Sequence, residues 1–176
     1  RECLLRAEMD QFTHLRPVRV GDTVLVPPYF PHALQHGVQV LEVQTPTYER
    51  KILSFAQKVR TQSHWDTREA VATMRLDPPP DQCPMDITGS RNSRTTRIVS
   101  CTAFELLRVV LDSGCEDELA TENRYNILFI ITGQLLLEGA VFGPHEALLL
   151  PAQWRGKVTA SGRLSPLSFI LVRPAA

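Results

Sequence analysis

Residues 20–50 read VGDTVLVPPYFPHALQHGVQVLEVQTPTYER. Gly21-Asp22 is a turn signal, and Thr23, Val24, Leu25 and Val26 favour a strand. Pro27, Pro28 and Pro31 bar a helix and keep the chain on an extended, turning path to His32. After Gly37, residues 38–44 alternate strictly, which puts Val38, Val40, Glu42 and Gln44 on one strand face. A carboxylate and an amide then lie beside two valines, shortly after a histidine held by prolines. The pattern predicts the floor of a small polar site inside a barrel.

Outward from this stretch the period changes twice. Ile52, Phe55 and Val59 fit one helical face. Trp65, Glu69 and Ala72, with Ala70 and Met74, fit a second helix that Ser63 or Asp66 would cap. Asp77 and Pro78, Pro79 and Pro80 end it. Residues 77–97, rich in Pro, Ser, Thr and charge, read as a connector. Strands return beyond Ile98: 104–111, 127–131, 134–137, 147–150 and 167–172, with turns at Thr132-Gly133 and Glu138-Gly139 and a polar loop from Asp112 to Asn123. Several short strands with close turn signals predict a mainly β fold, a barrel or double-sheet jelly roll.

The chain also repeats itself. GDTVLVP at 21–27 and HEALLLP at 145–151 share one shape: a turn, an acidic residue, four apolar or β-type residues and a proline. Aligning Pro27 with Pro151 sets Gly156 opposite His32. Two copies of one fold are expected, the first with site chemistry and the second without.

Composition narrows the function. Lys plus Arg and Asp plus Glu both total 19 in 176 residues, so no broad attraction to nucleic acid or an anionic membrane is expected. No apolar run approaches the ~20 residues of a membrane span. Cys3, Cys83, Cys101 and Cys115 show no CxxC pair and read as reduced thiols of a cytoplasmic protein. The sequence opens on Arg1 in the middle of ordinary globular composition, and a preceding segment is expected.

Residues 21–32, G-D-x-x-x-V-P-x-x-x-P-H, resemble the second motif of the cupin superfamily, in which the histidine is a metal ligand. With Gly37-Val38, the strand Leu41-Glu42-Val43-Gln44 and Arg50, the stretch is more narrowly similar to the type I mannose-6-phosphate isomerases and their short bacterial relatives. The resemblance implies a bicupin with a small helical insertion. Residues 1–51 would form the C-terminal part of a first barrel, 52–97 the insertion and linker, and 98–176 a second, degenerate barrel. There are departures. Tyr29 stands where these cupins usually have a glycine, and His36 where many have an asparagine. The first cupin motif, HxH or QxH with a following Glu, does not occur in the chain and is expected upstream of Arg1.

The implied chemistry is aldose–ketose interconversion of a sugar phosphate with a divalent metal, zinc above all. His32 would be a metal ligand, since imidazole suits Zn, Fe, Ni or Mn. Glu42 would be the base that moves a proton between adjacent carbons, and Arg50 would meet the oxyanion or the phosphate. Lys51 and Arg60 are further candidates for phosphate contact, and Tyr29 and His36 would border the mouth. Each has a plainer reading: a structural histidine in a turn, a solvated glutamate, a surface arginine. His14, His64 and His145 read as structural or exposed. Two other functions stay open, a non-catalytic cupin that binds a sugar or small metabolite and a cupin dioxygenase.

Overall fold

The run LSFILVRP at 167–174 has apolar residues at consecutive positions, the pattern of a strand buried on both faces. In the computed structural model it is the central strand β10 (Leu167–Pro174), and Leu167, Phe169 and Leu171 have no exposed surface. The structure describes residues 11, 13–46, 51, 67–77, 82–162 and 165–175. They fall into two compact units, divided between Asp81 and Gln82.

Among the described residues the C-terminal unit holds ten strands. In chain order they are β1 (Met85–Gly89), β2 (Ser93–Ser100), β3 (Phe104–Leu111), β4 (Glu116–Ala120), β5 (Asn126–Thr132), β6 (Leu135–Leu137), β7 (Ala140–Phe142), β8 (Ala147–Leu150), β9 (Arg155–Ala160) and β10. All pairings are antiparallel. One sheet has the order β1-β2-β3-β10-β5-β8 and the other β4-β9-β6-β7. Setting aside β1 and β2, which extend the larger sheet beyond β3, the eight remaining strands alternate between sheets except at the β6–β7 hairpin, as the strands of two Greek keys do. The fold is a jelly roll.

Alternation on each strand fills the space between the sheets. Leu107, Val109, Leu111, Leu128 and Ile130 from the larger sheet meet Leu119, Leu135, Leu137, Val158 and Ala160 from the smaller one, around Phe169. Two turns set the register. Glu138 and Gly139 adopt φ of 48° and 83° between β6 and β7. Gly133 (φ 81°) packs so closely on β10 that a Cβ would lie 2.6 Å from the Pro166 carbonyl oxygen.

Several expectations need correcting. The polar loop at 112–123 contains β4, whose sequence EDELA buries only Leu119 because it is an edge strand of the smaller sheet. The connector at 77–97 contains β1 and most of β2. Their polar residues pair across the ladder, as where Thr96 Oγ1 donates to Asp86 Oδ1 (2.6 Å).

The N-terminal unit is described in part. Its helix α1 (Thr67–Thr73) buries Ala70 and ends before Met74, which the expected span included; the helix at 52–60, Trp65 and the caps Ser63 and Asp66 lie outside the described residues. Residues 23–26 and 38–44 are expected strands, yet neither joins a ladder among the described residues. Val38, Val40, Glu42 and Gln44 are all exposed, so the face they share is not a buried one. A strand with no neighbour to accept its amides leaves them to water. Cys83, Cys101 and Cys115 are free thiols, and no helix among the described residues is long and apolar enough to cross a membrane.

Candidate functional site

The site is built on a turn, a short extended run and a second turn. In the first turn Gly21 takes φ 96°, the Arg19 N–H donates to Asp22 Oδ2 (2.8 Å), and the Asp22 N–H donates to the Arg19 carbonyl (3.0 Å). Four residues on, the Phe30 N–H donates to the Pro27 carbonyl (3.2 Å) and closes a turn around Tyr29, at φ 65°. Here the sequence departs from glycine without departing from the backbone a glycine would favour. A left-handed conformation costs a non-glycine residue about 1–2 kcal/mol.

The second copy repeats this bond for bond. His145 takes φ 69°, the Gly143 N–H donates to the Glu146 carboxylate, and the Glu146 N–H donates to the Gly143 carbonyl (3.3 Å). The Trp154 N–H then donates to the Pro151 carbonyl (3.4 Å) around Gln153, at φ 61°. Between the two turns lies β8 and after them β9. Residues 23–26 therefore have the local frame of β8, and Phe30 and His32 stand where Trp154 and Gly156 stand.

What fills the equivalent position differs sharply. Gly156 shares its strand face with buried Val158 and Ala160, so a side chain there would point toward the core. The Trp154 indole occupies that space, and a Cβ on Gly156 would meet its Cζ2 at 2.5 Å. The ring is tied at both ends. Its Nε1–H donates to Glu138 Oε1 (2.8 Å), and its backbone N–H to Thr121 Oγ1 (2.8 Å), while that hydroxyl donates to the Pro151 carbonyl (2.6 Å). The interior of the jelly roll is otherwise apolar; its buried polar side chains are Thr121 and Asn126, and no buried side-chain polar atom among the described residues lacks a partner.

In the first copy His32 is exposed, with Nδ1 2.9 Å from the Phe30 carbonyl oxygen. A carbonyl oxygen only accepts, so Nδ1 is the donor in this bond, and the neutral ring that makes it has its lone pair on Nε2. That nitrogen suits a metal, and a catalytic metal needs three or four such protein ligands. Glu42 is exposed on the extended run at 38–44, and no hydrogen bond or ion pair joins it to His32. Arg50 and Arg60 lie outside the described residues. Lys51 is committed to its own unit: its Nζ lies 2.6 Å from Glu69 Oε1 and 6.0 Å from the centre of the Tyr29 ring. His36 sits in a turn with Gly37, and His145 lies edge-on to Phe129. Among the described residues no group of three or more His, Cys, Asp or Glu is placed to hold a metal. Neither Trp154 nor the Lys51–Glu69 pair stands out in the sequence, since each depends on partners distant along the chain.

No protein-family model matches the chain, and no curated protein matches it. Solved structures do resemble it. KdgF from Halomonas sp. is 17% identical, with 52% of this chain and 86% of that one covered and a TM-score of 0.43. The polyketide cyclase RemF from Streptomyces resistomycificus is 15% identical, with 59% and 81% covered and a TM-score of 0.45. An RmlC-like cupin from Shewanella frigidimarina is 13% identical, with 54% and 85% covered and a TM-score of 0.42.

Proposed function

We propose that the chain is a two-copy cupin whose chemistry resides in the first copy, and that this chemistry is the metal-dependent aldose–ketose isomerisation of a sugar phosphate. The observation that carries the reading is the bond-for-bond repeat of residues 19–32 at 143–156, with an imidazole at one equivalent position and an indole-covered glycine at the other. The choice of reaction rests on the resemblance at residues 21–50 to the type I mannose-6-phosphate isomerases.

In this reading His32 Nε2 would hold a divalent ion such as zinc. A bound metal supplies Lewis-acid stabilisation to an oxyanion. Glu42 would take a proton from the hydroxyl-bearing carbon beside the carbonyl and return it to the carbonyl carbon, while the hydroxyl proton passes to the former carbonyl oxygen. That shift interconverts an aldose and a ketose with no net change in atoms. Arg50, with its planar fork of donors, would bind the phosphate or the enediolate oxygen.

The test is a coupled assay of mannose 6-phosphate and fructose 6-phosphate interconversion by the zinc-loaded, full-length protein. Turnover is expected, with a loss of about 100-fold or more in Glu42→Gln, within the range that general base catalysis contributes. A metal-loaded protein inactive on both sugars would overturn the isomerase assignment.

A further inference from the structure

We infer that the N-terminal unit is an acceptor for one extended strand with the chemistry of β5, which pairs with residues 23–26 along one edge and with residues 38–44 along the other. The inference uses neither a metal nor any role for His32.

The repeat names the partner. In the C-terminal unit the turn at 143–146, β8, the turn at 151–154, β9 and β10 follow one another. In the N-terminal unit the turn at 19–22, residues 23–26 and the turn at 27–30 come in the same order. A further turn, closed by the Val38 N–H on the Gln35 carbonyl (3.4 Å), then opens the alternating run at 38–44. Residues 23–26 thus stand in the place of β8, and residues 38–44 in that of β10. In the complete copy β8 and β10 do not pair with each other. Both pair antiparallel with β5 between them, so that Leu128 faces Leu148 on one edge and Leu171 on the other.

Exposure follows the same correspondence. Leu150 is 3% exposed and Val26 in its place 38%; Phe169 is 0% exposed and Val40, third in its run as Phe169 is in β10, 50%. Neither run carries a proline or a lysine, the residues that keep strand edges from pairing, whereas the edge strand β4 is blunted by Glu116, Asp117 and Glu118. A strand added between the two runs would supply their ladder partners and cover the valines, which is recognition by strand addition. The occupant is therefore an extended, proline-free segment with apolar residues on both faces, as NILFIIT at 126–132 is. It differs from β5 at one position. Glu42 stands at the place of Leu171, so the residue of the occupant opposite it is polar where β5 has Leu128.

The test is amide hydrogen exchange of the 176-residue chain with a synthetic peptide of residues 126–132 that carries Leu128→Gln and flanking lysines for solubility. With peptide at about ten times its dissociation constant, exchange of both runs is expected to slow by about 10-fold, as binding linkage requires. Val40→Asp alters an exposed residue, so the fold is kept, but it sets a charge on the face to be covered and is expected to abolish the protection. Unchanged exchange at millimolar peptide, protection of only one run, or protection that survives Val40→Asp would each overturn the inference. Protection that arises in the chain alone and grows with its concentration would assign the two runs to a second copy of the chain, and would overturn it too.

Discussion

A Cβ on Gly156 would lie 2.5 Å from the Trp154 ring, closer than side chains approach one another, so even alanine must displace the indole. Crowding of this kind costs about 1–3 kcal/mol in a packed interior. Gly156→Ala should therefore lower the urea midpoint of unfolding by a corresponding amount. In a Trp154→Leu background the same substitution should cost close to nothing, because the obstacle has gone. Equal costs in both backgrounds would mean that the indole does not cover the position. The contrast with His32 is a matter of occupancy: one turn presents an imidazole and its twin closes over a glycine. Of this pair, the repeat and the histidine were legible in the residues themselves, because Gly21, Pro27 and Pro151 restrict the backbone locally. The indole's position was not, since it depends on Glu138 in the β6–β7 hairpin and on Thr121 before β5.

Thr121 joins elements rather than filling space. Its hydroxyl donates to the Pro151 carbonyl and accepts the Trp154 N–H, and its own N–H donates to the Trp154 carbonyl (2.8 Å), so the end of β4 is locked to the turn between β8 and β9. Thr121→Val keeps the shape and leaves the Trp154 N–H and the Pro151 carbonyl only their long mutual bond (3.4 Å), which should cost about 1 kcal/mol in equilibrium unfolding. Elements differed in how visible they were. The strands β3, β5, β8 and β10 carry apolar residues on their buried faces and showed plainly. The charged edge strand β4 and the hydroxyl- and arginine-rich β1 and β2 did not, because ladder pairing more than apolar alternation holds them, and β9 (RGKVTA) did not because its core face is only Val158 and Ala160 beside Gly156. Residues 23–26 and 38–44 erred in the opposite direction. The β-favouring residues of the first and the alternation of the second read as strands, but a strand is completed only by a neighbour, and among the described residues they have none.

At the scale of the whole molecule, the strand order β3-β10-β5-β8 facing β4-β9-β6-β7 makes the C-terminal unit a complete jelly roll with an apolar interior. Chemistry there would need polar ligands where Leu, Val and Phe now pack, and the proposed function uses instead a turn of the same construction in the N-terminal unit. The most direct measurement of this division of labour is zinc titration of the full-length protein beside His32→Ala and His145→Ala. The expected result is binding that His32→Ala weakens by more than about 100-fold, beyond what loss of an outer partner causes, and that His145→Ala leaves unchanged. Equal affinity in wild type and His32→Ala would contradict the account.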